Sequence, residues 1–264
     1  MSQETMSFAG LAIPDLKGKS VLITGASTGI GAALVLGFAQ VGSRVGLHYN
    51  ASAEAAEQVA RQARDLGGDI FLVRGDFSRS EEVRRVVAET VDHFGGLDGL
   101  INNAGGMVAR QTYADWTDEH YDAVLDLNAR SVVAATHAAL PHLKASKGFV
   151  INTTSIAARN GAGGGAGMYG SAKAFVSNVT RGMAKEWIKD GVRVNAVAPG
   201  VITTPFHERY STDAQMAAMI ATIPAGRAAT AEECVGAYLF LASNLLASYV
   251  TGQVIEVNGG QLMP

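Results

Sequence analysis

The sequence predicts a doubly wound α/β fold, a parallel sheet with helices on both faces, closed as a single domain. Three observations predict it. Short apolar runs, β-branched and nearly continuous in hydrophobicity, alternate with longer stretches of helical periodicity. Those helical stretches open with Ser followed by Glu and close on Gly, a start-and-stop pattern. A glycine-rich turn follows the first apolar run and leads straight into an apolar helix.

Taken in order, a leader over residues 1–18 precedes a domain over 19–264. The expected strands are "SVLIT" (20–24), "RVGLH" (44–48), "IFLVR" (70–74), "LDGLI" (97–101), "GFVIN" (148–152), "VRVNAV" (192–197) and "QVIEV" (253–257). Helices such as "SAEAAEQVARQARDLGG" and "SEEVRRVVAETVDHFGG" connect them. Strand–helix alternation of this kind needs parallel pairing, because each crossover must carry the chain back to the same end of the sheet. The tract "PGVITTPFHERYSTDAQMAAMIATIPAGR" breaks the rhythm. It is expected over the carboxyl edge of the sheet, where open α/β folds bind ligands.

Bulk properties narrow the function. The chain has 264 residues, nearly half of them apolar, and a formal charge of −3, which offers no basic face for nucleic acid. Cys234 is the only cysteine, so neither a disulfide framework nor a cysteine metal cluster is available, as suits a reducing compartment. The start of the chain lacks a basic n-region and a sustained apolar core, and no apolar run reaches the roughly 20 residues of a membrane span. A cytoplasmic protein without membrane partners is expected. His48, His93, His120, His137, His142 and His207 show no metal-ligand spacing and read as structural or surface residues, with His207 alone placed near the substrate tract.

"TGASTGIG" sets Gly25, Gly29 and Gly31 between the first strand and a helix. Glycines permit a tight turn and close backbone approach, and a helix N-terminus presents unpaired N–H groups to a pyrophosphate. The acid that would hold a ribose 2′-hydroxyl belongs at the end of the second strand, about 20 residues on. Asn50 stands there, and Thr28 is neutral too, so neither a carboxylate nor a cation decides the matter. The missing acid leaves room for a 2′-phosphate, and NADP(H) is favoured over NAD(H).

Tyr169 and Lys173 in "YGSAK" lie four residues apart, which puts phenol and ammonium on one side of a helix. An ordinary phenol titrates near ~10. A neighbouring ammonium lowers that value and fits the phenol for proton exchange with a carbonyl or an alcohol. Ser155, in the hydroxyl cluster Thr153–Thr154–Ser155 that ends the fifth strand, is placed to hydrogen-bond a substrate oxygen. No nucleophile elbow surrounds it, so polarisation is preferred to nucleophilic attack.

The set "TGASTGIG", "NNAG" (102–105), Asn128, Ser155, "YGSAK" and "PG" (199–200) resembles the short-chain dehydrogenase/reductase superfamily, in order, from about residue 18 to the end. The resemblance implies a Rossmann-type sheet of about seven strands and hydride transfer with NAD(H) or NADP(H). It implies Tyr169 as acid/base, Lys173 as its pKa partner and ribose contact, Ser155 as carbonyl polariser and Asn128 as anchor of a water. Cofactor contacts are implied at Gly25, Ser27, Thr28, Gly29, Ile30, Gly31, Asn50, Asp76, Asn102, Ala104, Gly105, Tyr169, Lys173, Pro199, Gly200, Ile202 and Thr204, with no metal. The resemblance also implies a homotetramer.

Within that superfamily the sequence reads as a 3-oxoacyl thioester reductase, with a sugar or polyol dehydrogenase as the alternative. A nucleotide-sensing regulator without turnover would have no use for Ser155, Tyr169 and Lys173. The loop "NGAGGGAGM" between Ser155 and Tyr169 is either space for an extended substrate or a lid over a small one. Lys147 and Lys185 read as solvated charges, and Cys234, Trp116 and Trp187 as packing residues.

Overall fold

The structure, a computed structural model, describes residues 12–264. Its strands are β1 (Ser20–Ile23), β2 (Arg44–Tyr49), β3 (Asp69–Arg74), β4 (Gly99–Asn102), β5 (Phe149–Thr153), β6 (Arg193–Pro199) and β7 (Val254–Val257). All pairings are parallel, in the order β3-β2-β1-β4-β5-β6-β7. Each strand falls on one of the seven apolar runs. Strand order reverses between β1 and β4, which opens a crevice at their carboxyl ends.

The helices are α1 (Gly29–Gln40), α2 (Ala53–Asp65), α3 (Ser80–Phe94), α4 (Asp118–Leu125), α5 (Ser131–Ser146), α6 (Ala157–Asn160) and α7 (Gly167–Trp187). They continue with α8 (Pro205–Tyr210), α9 (Asp213–Ile220), α10 (Glu232–Ala242) and α11 (Asn244–Ala247). Alternate residues of each central strand serve opposite faces. Val21, Ile23, Ile101 and Ile151 pack with α1, α2 and α10, whereas Leu22, Leu100 and Val150 pack with α3, α5 and α7. Full burial of one such side chain contributes about 1.5–3 kcal/mol. This two-sided demand is why the strand segments read as continuous apolar runs.

A buried amide ladder aligns the centre of the sheet. Asn102 Nδ2 donates to Asn152 Oδ1 at 2.9 Å and to Thr136 on α5 at 3.0 Å, and Asn152 Nδ2 donates to Thr180 on α7 at 2.9 Å. Asn102 and Asn152 are register partners on β4 and β5. A one-residue slip would leave these amides unpaired in the core, where each orphaned polar group costs about 1–3 kcal/mol.

The ends of the elements differ from the sequence reading in places. Ser52 flanks α2 without a side-chain cap, and α3 is preceded by Arg79, with Ser80 already helical. At α3 the local polar bond forms earlier, where Asp76 Oδ1 accepts from the Ser78 amide and hydroxyl. The glycine stop of α3 holds: Gly95 is left-handed and its N–H reaches the Val91 carbonyl. Of the expected leader, residues 1–11 lie outside the described residues. Ile13 and Leu16 join the core, and Asp15 accepts from Ser243 Oγ and the Asn244 amide at the start of α11. Trp187 packs on the core as expected, but Trp116 is 51% exposed, edge-on to Tyr121 in the segment before α4. Among the described residues, no helix is long and apolar enough to cross a membrane.

Between β6 and α10 the chain leaves the sheet as α8 and α9 and returns through a narrow neck. Ile202 and Ala229 form an isolated parallel bridge, and the Thr203 amide donates to the Ala229 carbonyl at 2.8 Å.

Candidate active site

A cleft of about 660 Å³ opens at the carboxyl ends of the strands. One end is the glycine turn. Thr24 Oγ1 accepts from the amides of Asn103 and Ala104, both at 2.9 Å, and Asn103 Nδ2 donates to the carbonyls of Thr24 and Gly25, both at 3.0 Å. The "NNAG" turn after β4 therefore fixes the turn after β1. Gly31 seals this joint: a Cβ there would overlap the Gly25 carbonyl oxygen and lie 2.7 Å from Asn103 Nδ2. Thr28 precedes α1 without capping it, so the first amides of the helix are left for a ligand. This is a cradle that fits a dinucleotide pyrophosphate.

His48, at the end of β2, supports the same turn. The Gly25 amide donates to His48 Nδ1 at 3.0 Å, so Nε2 carries the proton and donates to the Gly75 carbonyl at 3.0 Å. The ring stacks on Phe77, centroids 3.8 Å apart. Burial pushes its pKa down to about 4. Protonation would turn Nδ1 into a second donor facing the Gly25 N–H.

The unfolded chain takes that proton near 6.5 and the folded chain near 4, so stability is full above about pH 6.5 and falls progressively toward pH 4. The expected loss from this residue is about 3 kcal/mol. Urea unfolding of the wild type and of His48→Gln, from pH 7 to 4.5, checks this. The variant is expected to be less stable at pH 7 and to lack most of the acid-side slope.

The candidate reacting cluster forms where β5 meets α7. Ser155 follows β5, half-buried, and its Oγ accepts from the Ala157 amide at 3.1 Å. Tyr169 and Lys173 lie one turn apart on α7, with Lys173 Nζ 5.7 Å from the Tyr169 ring centroid. Lys173 is 3% exposed, and its ammonium donates to the Thr153 carbonyl at 2.8 Å. Thr154 Oγ1 donates to the Lys173 carbonyl at 2.8 Å, which ties α7 to the end of β5.

The expected lowering of the Tyr169 pKa is not what the site produces. Burial pushes the phenol up to about 12, with Ser155 pulling the other way, and burial pushes Lys173 down to about 8. Burial is the leading influence on both groups, and it opposes the charged form of each. At neutral pH the phenol therefore holds its proton.

Asn128 occupies a π-helical turn (Asp126–Arg130) between α4 and α5. It is fully buried, donating to the carbonyls of Gly106 at 2.8 Å and Val124 at 2.9 Å and accepting from the Gly106 amide at 3.1 Å. Gly105 separates it from the lysine. A Cβ at 105 would lie 2.7 Å from Asn128 Oδ1 and 3.0 Å from Lys173 Nζ.

Most of the sequence-predicted residues line this one cleft: Gly25, Ser27, Thr28, Gly29, Ile30, Asn50, Ala104, Gly105, Ser155, Tyr169, Lys173, Pro199, Gly200, Ile202 and Thr204. Four do not. Gly31 and Asn128 hold the wall from behind, and Asn102 belongs to the amide ladder. Asp76 turns its carboxylate to Ser78 beside a neighbouring shallow pocket. Asn103, His48, Phe77, Arg110 and Phe206 line the cleft without having been singled out for it. For His48 a signal existed, since it sits two residues before Asn50 at the end of a strand facing the crevice. Arg110 had none. His207 lines the cleft as its position suggested, while Lys185 is exposed on α7 and Lys147 ends α5. Cys234 is buried in the core.

The glycine-rich loop forms a wall. Gly161, Ala162, Gly164 and Gly165 all take positive φ. The loop is tied across the cleft by Arg110 Nη1 to the Gly164 carbonyl at 2.8 Å and by the Gln111 amide to the Gly165 carbonyl at 2.9 Å. From the other side Phe206 of α8 lies against Tyr169, ring centroids 5.5 Å apart.

The chain matches the family described as Enoyl-(Acyl carrier protein) reductase over residues 25–261. It is 37% identical over 253 residues to a 3-oxoacyl-[acyl-carrier-protein] reductase of Synechocystis sp., covering 94% of this chain and 98% of that one. Among solved structures it resembles an NADH-dependent reductase, A1-R′, responsible for alginate metabolism, at 41% identity and a TM-score of 0.88, with 95% and 99% of the two chains covered. A short-chain dehydrogenase of Burkholderia cenocepacia in complex with NADP is similar at 31% identity and a TM-score of 0.87, covering 94% and 99%. Such likeness runs through both the nucleotide end and the tyrosine end of the cleft. The protein thus belongs to the short-chain dehydrogenase/reductase superfamily and is an NAD(P)-dependent oxidoreductase.

Proposed function

We propose that this protein reduces the ketone of a 3-oxoacyl thioester to a secondary alcohol with NADPH. The observation that carries the chemistry is Tyr169, a half-buried residue whose phenol keeps its proton at neutral pH, in one cleft with Ser155 and the phosphate cradle. A reduced nicotinamide, when bound, supplies the hydride that forms the new C–H bond at the carbonyl carbon. The carbonyl π pair moves to oxygen, and that oxygen takes the Tyr169 proton. Ser155 donates a hydrogen bond to the same oxygen as its charge grows. Lys173 offsets the charge left on the phenolate and binds the ribose hydroxyls, a role supported by its ammonium at the wall of the cleft beside Thr153. Asn128 acts through Gly105 and Gly106, holding the wall against which Lys173 rests.

Relatives named 3-oxoacyl-[acyl-carrier-protein] reductase support the thioester. A sugar-derived carbonyl compound is the second reading, supported by the likeness to the reductase of alginate metabolism. For the cofactor, no carboxylate follows β2. Asn50 lines the cleft, and the guanidinium of Arg74 donates to its carbonyl at 3.2 Å, which brings a cation near the expected 2′-phosphate. The homotetramer is supported by apolar side chains left exposed on the two long helices, Val133 on α5 and Phe175 on α7.

The test is oxidation of NADPH, and separately of NADH, with acetoacetyl-coenzyme A. Turnover with a higher kcat/KM for NADPH is expected. Turnover of sugar-derived ketones alone would replace the thioester reading, and a preference for NADH would reverse the cofactor assignment.

A further inference from the structure

The cleft is lined by no Asp or Glu among the described residues, although the whole chain carries a net charge of −3. Its charged side chains are Lys173, Arg110 and Arg209. Lys173 belongs to the reacting cluster. Arg110 is different: it stands on the substrate side, between the glycine-rich loop and α8. Its Nε donates to the Tyr210 carbonyl at 2.5 Å and its Nη1 to the Gly164 carbonyl at 2.8 Å. It forms no ion pair among the described residues, and Nη2 makes no hydrogen bond there. Arg209 lies at the rim, its guanidinium 6.0 Å from the Tyr210 ring centroid.

Arg110 is half-buried, and its charge is met by two backbone carbonyls and by no carboxylate of the cleft. Those two bonds also fix the plane of the group, so the remaining donors are oriented before any ligand arrives. Oriented, unspent Arg donors match the paired oxygens of a carboxylate or phosphate. The phosphates of the cofactor belong to the α1 end, which leaves this cation for the other reactant.

We propose that Arg110 is a specificity-determining residue that binds an anionic group, carboxylate or phosphate, on the same molecule as the reacting carbonyl. The proposal deepens the carbonyl-reductase reading and rests on it. A sugar-derived oxo acid would supply a carboxylate, and a thioester of a phosphopantetheine arm would supply a phosphate. Uncharged polyols and simple ketones would leave Arg110 without its ligand.

Two matched pairs of ketones test this: acetoacetate against ethyl acetoacetate, and acetoacetyl-coenzyme A against acetoacetyl-N-acetylcysteamine, which lacks the phosphate. For Arg110→Met, KM for the anionic member of one pair is expected to rise roughly 10- to 100-fold. KM for its neutral partner should change less than about twofold, and Arg110→Lys should recover part of the loss. The pair that responds identifies the source of the anion. Equal losses for charged and neutral members, or no loss for either, would make Arg110 a latch between loop and helix and overturn the proposal.

Calorimetry of the same four compounds with the enzyme–NADP⁺ complex reads binding without turnover. If the anionic members bind more tightly than the neutral ones and Arg110→Met removes the difference, the anion site stands even where no ketone is reduced. Absent turnover would then count against the carbonyl-reductase reading alone, and absent discrimination in binding against the anion site.

Discussion

Tyr169→Phe is expected to lower kcat by roughly 100- to 10,000-fold, the range in which a positioned acid contributes. The dissociation constant for NADPH should move by less than about twofold, since only the hydroxyl is removed and Phe206 still covers the ring. Stopped-flow turnover and fluorescence titration of the same preparation separate the two effects. The pH profile gives a second check. With the phenol pushed up to about 12, reduction runs with the acid in its working form through neutrality. The reverse oxidation needs the phenolate, so its rate should climb with pH from neutral to at least 9. In Tyr169→Phe that climb should vanish. Residual activity near the wild type would reassign the acid.

Gly31→Ala is expected to damage both the fold and the nucleotide end with a single methyl group. The added Cβ overlaps the Gly25 carbonyl oxygen and comes within 2.7 Å of Asn103 Nδ2 and 2.9 Å of Ala26 Cα. None of these is the free end of a flexible chain. Asn103 is held by the carbonyls of Thr24 and Gly25, so relief means breaking the junction between the β1 and β4 turns. Overpacking of this kind costs about 1–3 kcal/mol or more. The distortion falls on the turn and helix start proposed to hold the pyrophosphate. NADPH affinity should drop at least tenfold, and thermal unfolding should shift down by several degrees. Gly182→Ala, on an exposed part of α7 where a Cβ meets nothing within 4 Å, is the control: NADPH affinity should not change, and thermal unfolding should hold or rise slightly, since alanine favours the helix.

The sheet was legible because each strand is buried on both faces. Such segments must be apolar without interruption, and "GFVIN" or "VRVNAV" can hardly be read otherwise. Tyr169, Lys173 and the glycine turn were legible because their chemistry rests on short spacings along one element. His48, Asn103 and Arg110 act across gaps of 23 to 100 residues, and nothing local marks them. The sign of the tyrosine shift was missed for a related reason. Spacing reveals the neighbouring ammonium, whereas burial of the phenol depends on residues distant in sequence, such as Phe206 of α8 against the Tyr169 ring. Capping misled at α3 because Asp76 and Ser78 form their own local bond one turn early.

The neck formed by Ile202 and Ala229 carries an evolutionary consequence. It is stitched by backbone groups, whose pairing is indifferent to the side chains they belong to. Beyond the side chains that meet the cleft, such as Thr204 and Phe206, the segment between those two positions can therefore diverge in sequence, or in length, while the strands keep their form. Descent within such a lineage preserves the shared redox half of the reaction and lets the choice of molecule to be reduced drift, one short exchangeable segment at a time.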